Sequence, residues 1–362
     1  MDEEAKRLSE ELALYREAYY NLDPIVPDDI YDAKKARLKE LAPEAPEVKA
    51  VGASPPSDSS WEKVKHEIPM GSLDKVNNVE EFDEWVAKTG ADKFGITHKI
   101  DGASLELVYE SGKLVRGVTR GDGTTGEDVT SNVSRIPEVP RELHHPVDAI
   151  VRGEVVMLKA VFDEKYADRY ANPRNTAAAK MREKKGGGAD CENLTFLAYW
   201  IQCEDRPNMI LYMFKMLESL GFGVPPLAVA SVDLVKQRFA EVTAKRSEVP
   251  YDIDGEVVSV ADLKLLESLG DVAMRPRGQI AWKFESEKAV SRVLDVVWQV
   301  GPTGRVTPVA KIEPTKIGGV TIESVSLHNL KMFAELRLFR GCRVLIERRN
   351  DCIPYCAVNL GI

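Results

Sequence analysis

The stretch from His98 to Asp128 constrains the fold most, because it places a lysine beside one glycine turn and continues into a second, glycine-rich loop. Residues 104–109 alternate apolar and polar side chains, Ser111-Gly112 is a two-residue turn signal, and residues 114–119 alternate again. This pattern predicts a β-hairpin that connects the two loops. Lys99 is therefore predicted to lie at the end of a strand.

The chemistry open to such a lysine depends on its surroundings. A lysine attacks as a neutral amine, and partial burial or neighbouring cations lower its pKa toward neutrality. The basic residues predicted to supply those cations are Arg120, Arg174, Arg182 and Lys283. Attack on a carbonyl would give a Schiff base, whereas attack on phosphorus would give a phosphoramidate. The glycine-rich loop favours phosphate, because backbone amides at Gly121, Gly123 and Gly126 lie near arginines in the sequence.

Two blocks of sequence carry a family resemblance. Residues 99–102 read KIDG, and residues 119–128 read TRGDGTTGED. A lysine before Asp-Gly is a weak signal by itself, because Asp-Gly is a common turn. With the second block, the chain resembles the NAD-dependent DNA ligases of bacteria and some viruses. Further segments that resemble this family follow in order and cover nearly the whole chain: Ile68-Pro69-Met70 with Ser72-Leu73-Asp74, Arg152-Gly153-Glu154-Val155, Ala171-Asn172-Pro173-Arg174-Asn175, Asp252-Ile253-Asp254-Gly255 and Ala281-Trp282-Lys283-Phe284.

The resemblance implies an α+β fold of the nucleotidyltransferase type, with ATP-grasp-like mixed and largely antiparallel sheets, an N-terminal helical hairpin and a C-terminal OB-fold β-barrel. The predicted domains are a helical module and linker (1–55), an adenylation domain (56–288) and the OB-fold domain (289–362). A proline-rich polar stretch before residue 56 marks the first boundary. Short β-branched segments separated by glycine turns after about Val290 independently predict a small barrel.

The N-terminal stretch allows two interpretations. Apolar and aromatic residues from Leu8 to Tyr19 recur at helical spacing, and a second helix is predicted over residues 27–41. On periodicity alone, the tyrosines are core residues of a helical hairpin. The resemblance instead implies a module that grips the nicotinamide mononucleotide (NMN) half of NAD, with rings stacked on the pyridinium and carboxylates near its positive charge. The residues assigned to it are Tyr19, Tyr20, Asp28, Tyr31 and Asp32.

Within the adenylation domain, the resemblance assigns further nucleotide contacts. Asp101 would orient the lysine or a metal ion, and Glu154 would hold the ribose. A helix predicted over residues 173–181 carries Arg174 and Arg182 two turns apart, which fits either a structural salt-bridged face or phosphate binding. The cofactor-binding residues assigned here are Ser72, Leu73, Arg120, Glu154, Arg174, Arg182 and Lys283.

Composition narrows the class of protein. The 362 residues, 44% of them hydrophobic, suffice for two or three packed domains. No apolar run approaches the length of a membrane span, and the acidic N-terminus is unlike a secretory signal, so we expect a cytoplasmic protein without a membrane partner. We also expect a monomer. The odd number of cysteines, without paired zinc-site spacing, predicts reduced structural thiols. They are Cys191, Cys203, Cys342, Cys352 and Cys356.

The charge distribution bears on a nucleic-acid partner. A formal net charge of −9 opposes binding to DNA, because phosphate contacts normally come from a basic surface. Residues 1–60, however, contain eight basic and fourteen acidic side chains, whereas residues 289–362 contain ten basic and six acidic ones. The C-terminal barrel is therefore the predicted contact with nicked double-stranded DNA. Its His328 is predicted to be structural rather than catalytic.

The resemblance implies three nucleotidyl or phosphoryl transfers. Lys99 would attack the α-phosphorus of NAD as NMN departs, AMP would pass to a 5′-phosphate at a nick, and the adjacent 3′-hydroxyl would displace AMP. Mg²⁺ or Mn²⁺ and the basic residues would neutralise charge on the phosphoryl oxygens, although no residue is assigned as a metal ligand.

Three positions depart from the family pattern. Thr97 stands where the family usually has a glutamate, Ser259 where it usually has a lysine, and Pro302 where an arginine is common. We hypothesise that Lys180, which replaces a usual glycine, supplies the cation that is missing at Ser259.

Three functions remain open on the sequence. The first is an NAD-dependent DNA ligase of replication and repair, or its adenylation-plus-OB core. The second is an ATP-dependent lysine nucleotidyltransferase, such as an ATP ligase or a capping enzyme, which the segment from Tyr19 to Asp32 disfavours. The third is a catalytically weakened ligase-like protein that binds NAD or nicked DNA without sealing it.

Overall fold

The computed structural model describes residues 3–21, 26, 28–50, 52–53, 61–170, 172–285, 287–300, 306–317, 320–327, 330–349 and 353–361. These residues divide into two compact units. One unit runs from Lys49 to Phe284, and the other combines the stretch before Lys49 with the stretch after Phe284.

The N-terminal stretch is helical, as the periodicity predicts. Its helices are α1 (Glu3–Asn21), α2 (Asp28–Leu41) and α3 (Pro46–Lys49). Leu8, Leu12 and Leu38 are buried together in a small core to which α1 and α2 both contribute. The predicted proline turn between the two long helices, at Pro24 and Pro27, lies outside the described residues.

The unit from Lys49 to Phe284 contains most of the strands and helices. Its strands are β1 (Lys63–Lys65), β2 (Asp74–Val76), β3 (Phe94–Ile100), β4 (Ala103–Glu110), β5 (Lys113–Thr119), β6 (Thr125–Glu127), β7 (Ala149–Met157), β8 (Leu194–Gln202), β9 (Leu227–Ala230), β10 (Ile253–Val260), β11 (Asp271–Val272), β12 (Arg275–Pro276) and β13 (Gln279–Lys283). Its helices are α4 (Val79–Thr89), α5 (Thr130–Val133), α6 (Lys159–Lys165), α7 (Pro173–Arg182), α8 (Ile210–Ser219), α9 (Val232–Lys245) and α10 (Leu263–Leu269), with 3₁₀ segments at Lys185–Asn193 and Arg246–Glu248.

Two sheets organise this unit. One has the strand order β2-β13-β10-β3-β9, and the other has the order β5-β4-β7-β8. The pairings within them are antiparallel except that of β2 with β13. Helices α4 and α9 cover the first sheet, where the Trp282 ring stacks on Phe82 and on Phe239, each with ring centroids 4.1 Å apart. The predicted mixed, largely antiparallel α+β fold is confirmed.

The predicted hairpin is formed by β4 and β5. Ser111 and Gly112 at its turn have φ values of 50° and 79°, which suit the left-handed two-residue turns that join twisted strands. The Ser111 amide donates a hydrogen bond of 2.6 Å to the Asp148 carboxylate and so fixes the turn. The two loops that the hairpin connects therefore lie at its far end, as predicted.

The C-terminal residues form a closed barrel, as predicted. Its strands are β14 (Glu287–Val300), β15 (Val306–Ile317), β16 (Val320–Ser326), β17 (Arg343–Arg349) and β18 (Ile353–Gly361), with helix α11 (Leu330–Leu336) between β16 and β17. The order around the barrel is β14-β15-β16-β18-β17. Strand β14 pairs with β17 along its first half and with β15 along its second half, and the register shifts at Val293.

The described cysteines are buried free thiols, which agrees with the predicted structural role. Cys342 and Cys356 lie in the barrel core, and Cys191 and Cys203 lie in the core around β8. Cys352 and His328 are outside the described residues. Among the described helices, none combines the length and the apolarity that crossing a bilayer requires.

Candidate active site

The amine of Lys99 is held by a carboxylate from a distant part of the chain. Lys99 Nζ donates to both carboxylate oxygens of Asp254, at 2.8 Å each. The two residues come from the neighbouring antiparallel strands β3 and β10. Asp254 is the extra residue of a β-bulge, because Ile253 pairs with Ile100 and Gly255 already pairs with Lys99. Bulges next to active sites commonly redirect a side chain, and this one directs Asp254 at the lysine.

A second cation approaches the same carboxylate. Lys283 Nζ, from β13, lies 3.5 Å from Asp254 Oδ2. Gly255 pairs with Lys99 on one side and with Lys283 on the other, and a Cβ there would collide with the Trp282 carbonyl. Burial opposes ionisation of Asp254, but the charges of Lys99 and Lys283 outweigh it and hold the pKa of this carboxyl below its usual range.

Asp101 forms a separate ion pair beside Lys99. Arg174 Nη1 lies 2.8 Å from Asp101 Oδ1. Helix α7 presents Arg174 in its first turn, where Asn172 caps the helix by accepting the amide hydrogen of Asn175 and Pro173 occupies an early position. Burial raises the pKa of Asp101, with Arg174 opposing this and the nearby Asp254 adding to it.

Glu154 lies on the second sheet, opposite Ser104 of β4. The Ser104 hydroxyl donates to Glu154 Oε2 at 3.0 Å. Burial raises the pKa of Glu154 to about 7, while Ser104, Arg174 and Lys99 oppose the shift. A Cβ at Gly102 would collide with the backbone carbonyl oxygen of Val155, so glycine is required for the chain to pass from Lys99 into β4 at this point. Glu154 is thus a buried hydrogen-bond acceptor, and the positive charge of Lys99 favours its ionised form.

The comparison with known proteins follows this geometry. Residues 58–287 match the model of the NAD-dependent DNA ligase adenylation domain, and residues 290–359 match the model of the NAD-dependent DNA ligase OB-fold domain. The chain belongs to the NAD-dependent DNA ligase family. The family match does not favour the alternative of an ATP-dependent lysine nucleotidyltransferase.

Curated relatives agree with this assignment. The chain is 37% identical to the DNA ligase of Sorangium cellulosum (strain So ce56), over 97% of the chain and 55% of the relative. It is 37% identical to the DNA ligase of Gluconobacter oxydans (strain 621H), over 96% of the chain and 55% of the relative. The chain thus spans about half the length of the curated relatives it matches. A solved structure named Pmar-Lig_Pre. covers 91% of the chain and is itself covered to 72%, at 14% identity and a TM-score of 0.46.

Several amides of the glycine-rich loop of this ligase-family chain are bonded within the loop, including that of Gly123, one of the three predicted to favour phosphate. The Asp122 carboxylate accepts the amide hydrogens of Thr124 and Thr125, at 2.9 and 2.8 Å. The amide of Asp122 donates to the Thr125 carbonyl, and the amide of Gly123 donates to the Arg120 carbonyl. Gly121 and Gly123 have φ values of 56° and 86°, so their role is to allow this tight turn.

Among the four predicted cations, the structure brings Arg174 and Lys283 to the carboxylates beside Lys99. The charge of Arg120 acts on Glu154 and on Tyr199. Arg182, by contrast, bonds to the Ala178 carbonyl of its own helix and lies 3.9 Å from Glu127 of β6. The salt-bridged face is therefore what α7 displays in this structure.

Ser72 and Leu73 are held by a different part of the unit. The Ser72 amide donates to the Met274 carbonyl at 3.1 Å, and Arg275 Nε donates to the Ser72 hydroxyl at 3.3 Å. Leu73 is half-buried beside it. Their assignment to the nucleotide remains a prediction.

The departures from the family pattern have distinct local environments. The Thr97 hydroxyl is buried without a hydrogen-bond partner among the described residues. Ser259 accepts a hydrogen bond of 2.9 Å from the Gln279 side chain. Pro302 lies outside the described residues.

Lys180 is held by two carboxylates close to it in sequence, which does not support the hypothesis that it supplies the cation missing at Ser259. Its Nζ lies 2.8 Å from a carboxylate oxygen of Glu183 and 2.8 Å from one of Asp190, and it sits over the Tyr166 and Tyr170 rings. These partners raise the pKa of Lys180 against the opposing effect of burial. The residue therefore fastens α7 to the 3₁₀ segment that follows it.

Three residues of the site were given no role on the sequence. Asp254 accepts hydrogen bonds from Lys99, and Ser104 donates one to Glu154. Tyr199, which is half-buried on β8, interacts with both Ser104 and Glu154. Burial raises the pKa of the Tyr199 hydroxyl, and the Glu154 charge adds to the effect. The second Asp-Gly pair, at 254–255, is the sequence signal that could have identified Asp254.

The residues predicted to contact NMN are only partly described. The side chains of Tyr19, Tyr20 and Asp28 lie outside the described set. Tyr31 packs against the small helical core, with Lys35 Nζ 5.7 Å from its ring centroid. Asp32 is half-buried on α2. The contact of these residues with NMN stays a prediction.

Proposed function

We propose that this chain is an NAD-dependent DNA ligase, or its adenylation-plus-OB core, that seals nicks through a lysyl-AMP intermediate with release of NMN. The observation that carries the proposal is the double hydrogen bond from Lys99 Nζ to Asp254. It fixes the amine of Lys99 beside a group of carboxyls and cations that includes Asp101, Arg174 and Lys283. The family membership and the relatives named DNA ligase support the same chemistry.

The first step forms a bond between Lys99 Nζ and the α-phosphorus of NAD and breaks the bond from that phosphorus to the NMN phosphate oxygen. Asp254 fixes the position of Nζ, and the amine must lose a proton before its lone pair can attack. Lys283 and Arg174 are the cations that would neutralise charge on the phosphoryl oxygens, because both already lie within 3.5 Å of carboxylates beside the amine.

The site has the donors and acceptors that an adenylate requires. Glu154 is a buried carboxyl whose recorded donor is the Ser104 hydroxyl, so it can also accept from a ribose hydroxyl. Tyr199 offers an aromatic ring near the same carboxyl. We assign Glu154 and Ser104 to the ribose on this basis.

A divalent cation, when bound, would neutralise charge on the α-phosphate. Asp101 is the carboxyl that would hold it, since Mg²⁺ is commonly bound by one or two carboxylates together with substrate phosphates. This fits a site whose described residues form no cluster of three or more His, Cys, Asp or Glu able to hold a metal alone.

Domain roles follow from the same proposal. We assign NMN binding to residues 1–55, adenylation to 56–288 and DNA binding to 289–362, and the family matches at 58–287 and 290–359 support the last two. Nicked double-stranded DNA is the proposed partner, and a monomer in the cytoplasm is the proposed state. The surplus of basic residues in 289–362 supports DNA contact there.

The test is intact-mass analysis after mixing the chain with NAD or with ATP. We expect an added AMP with NAD, on a peptide containing Lys99, and none for Lys99→Ala. Lys99→Arg should also fail, because a guanidinium does not deprotonate at working pH. An adduct that persists in Lys99→Ala would overturn the assignment, and binding of NAD without any adduct would favour the weakened ligase-like protein.

A second arm isolates the N-terminal module. Tyr31→Ala or Asp32→Ala should abolish self-adenylation by NAD while sparing the sealing of a nick that already carries 5′-AMP, since only the first step involves NMN. Equal loss in both assays would mean that these residues serve folding.

A further inference from the structure

A buried polar cluster lies on the face of the first sheet opposite to Lys99. In the register of β3 and β10, His98 pairs with Glu256 and Lys99 pairs with Gly255. Because successive side chains of a strand point to opposite faces, His98 and Glu256 share the face that Lys99 does not occupy. Trp282 of β13 pairs with Glu256 and continues the row. The cluster consists of His98, Glu256 and Tyr251.

Glu256 is buried without a conventional partner. It is 0% exposed, and neither carboxyl oxygen accepts a hydrogen bond from the described residues. The nearest basic nitrogen is His98 Nε2, 3.8 Å from Glu256 Oε1. An unpaired charge would be costly here, so the neutral acid is the form that the fold tolerates. Burial raises the pKa of Glu256 to about 8, with Arg238 of α9 opposing the shift.

His98 also forms a hydrogen bond with a residue that precedes the Asp254 bulge. Its Nδ1 shares a hydrogen bond of 2.9 Å with the Tyr251 hydroxyl, and the two rings meet edge to face at 5.8 Å. Tyr251 precedes Asp252, whose carbonyl accepts the amide hydrogen of Asp101. His98 therefore contacts residues on both flanks of the bulge, Tyr251 before Asp254 and Glu256 after it.

We propose that His98 is a positioning residue for the reaction of Lys99: by holding Tyr251 before the bulge through a hydrogen bond and packing beside Glu256 after it, it sets the backbone that aims Asp254 at the lysine amine. The bulge costs one unpaired position in the β3–β10 ladder, and such an irregularity persists only where its flanks are fixed. Tyr251 is the stronger anchor, because its hydrogen bond is the shorter contact.

This inference rests on the proposed function only for its kinetic readout. A second readout, the acetylation of Lys99 by acetic anhydride followed by peptide mass spectrometry, requires no NAD turnover. The Asp254 ion pair shields the native amine, and Asp254→Asn defines the signal of an unshielded one.

The variants are Tyr251→Phe, which removes one hydroxyl, and His98→Phe, which keeps a ring but removes both nitrogens. We expect each to slow lysyl-AMP formation at saturating NAD about tenfold, the value of one lost hydrogen bond, with KM for NAD changed less than about twofold. We expect Lys99 acetylation to rise toward the Asp254→Asn level. His98→Asn, whose amide can occupy the position of Nδ1, should recover most of the rate.

The matched control is Val258→Ala, which removes a fully buried side chain from the same strand and face as Glu256. It should lower stability without altering either readout. Rates and acetylation within twofold of the native chain for both His98→Phe and Tyr251→Phe would overturn the proposal, as would an equal effect of Val258→Ala. If the native chain forms no adduct at all, the proposed function fails, but the acetylation pattern still decides whether His98 positions Asp254.

Discussion

His66 with Glu106, and His98 with Glu256, are two buried histidine–glutamate pairs in the same unit that behave in opposite ways. His66 Nδ1 lies 2.8 Å from Glu106 Oε1, and the Arg152 guanidinium donates to Oε2 from Nε at 2.9 Å and from Nη2 at 2.7 Å. In the second pair the nitrogen and oxygen are 3.8 Å apart, and no guanidinium in the described part of the chain donates to the carboxyl.

The ionisation of the two glutamates differs accordingly. Burial opposes ionisation of Glu106, but His66 and Arg152 outweigh it and lower the pKa of this carboxyl. Burial dominates at Glu256 and raises its pKa to about 8, and burial together with Arg238 lowers the pKa of His98 to about 4. A close hydrogen bond from His66 together with two N–H donors from Arg152 thus keeps the buried Glu106 carboxylate ionised.

The network of His66, Glu106 and Arg152 also connects separate segments of the chain. Arg152 also donates to the carbonyls of Ile68 and Pro69, and His66 Nε2 donates to the Arg120 carbonyl at 3.2 Å. It therefore fastens the segment before Ser72 and the start of the glycine-rich loop to β4 and β7.

Removal of Arg152 should have the largest effect, because it leaves Glu106 charged, buried and under-coordinated. For Arg152→Met we expect the free energy of unfolding to fall by about 3–5 kcal/mol in urea titrations. Arg169→Met, at an exposed arginine over the Tyr166 ring, is the control and should cost less than about 1 kcal/mol. If Arg152→Met lowers the free energy of unfolding by less than about 1 kcal/mol, the proposed difference between the two histidine–glutamate pairs is contradicted.

Glu106→Gln should cost less, since the amide keeps the volume and part of the hydrogen bonding. We expect about 2 kcal/mol at pH 7. Because the folded pKa of Glu106 lies below its usual value, its stabilising contribution is present above about pH 4.5 and is lost as the pH falls through the folded pKa. The difference in the free energy of unfolding between the native chain and Glu106→Gln should therefore become smaller in acid. A difference that does not depend on pH would show that Glu106 is not ionised in the folded chain.

Glu256→Gln should have the smallest effect and the opposite sign. Since the pKa of Glu256 rises to about 8 on folding, ionisation of the unfolded chain weakens the native fold progressively from about pH 4.5 to about pH 8. The full slope is about 1.4 kcal/mol per pH unit. We expect Glu256→Gln to remove part of this decline, with a gain on the order of 1 kcal/mol at pH 6 in urea titrations. Parallel profiles for native and variant would mean that Glu256 is ionised.

The sequence predicted the parts of this site that depend on local pattern. The alternation around Ser111-Gly112 specified the hairpin, and Lys99 lies at the predicted strand end. Asp254 could not be paired with Lys99 in this way, because the contact joins residues 155 positions apart and depends on a bulge in the register.

Two predicted roles involve residues whose contacts in this structure are local. The Asp122 carboxylate accepts hydrogen bonds from the amides two and three residues after it, and this Asx-type turn shapes the glycine-rich loop. Lys180 was proposed to act at the nucleotide because it replaces a glycine that the family usually has. Its actual partners, Glu183 and Asp190, are close in sequence and could have been considered.

The change of partner along β14 has a practical consequence for dissecting the chain. Because β14 bonds to β17 up to Arg292 and to β15 from Val293, both halves of the strand lose their neighbours if the barrel is cut away behind it. A fragment ending near Val300 would carry a long unpaired strand with exposed Leu294 and Trp298. Such a strand promotes pairing between molecules and therefore precipitation. A recombinant adenylation fragment should therefore stop at Glu285, before the first residue of β14.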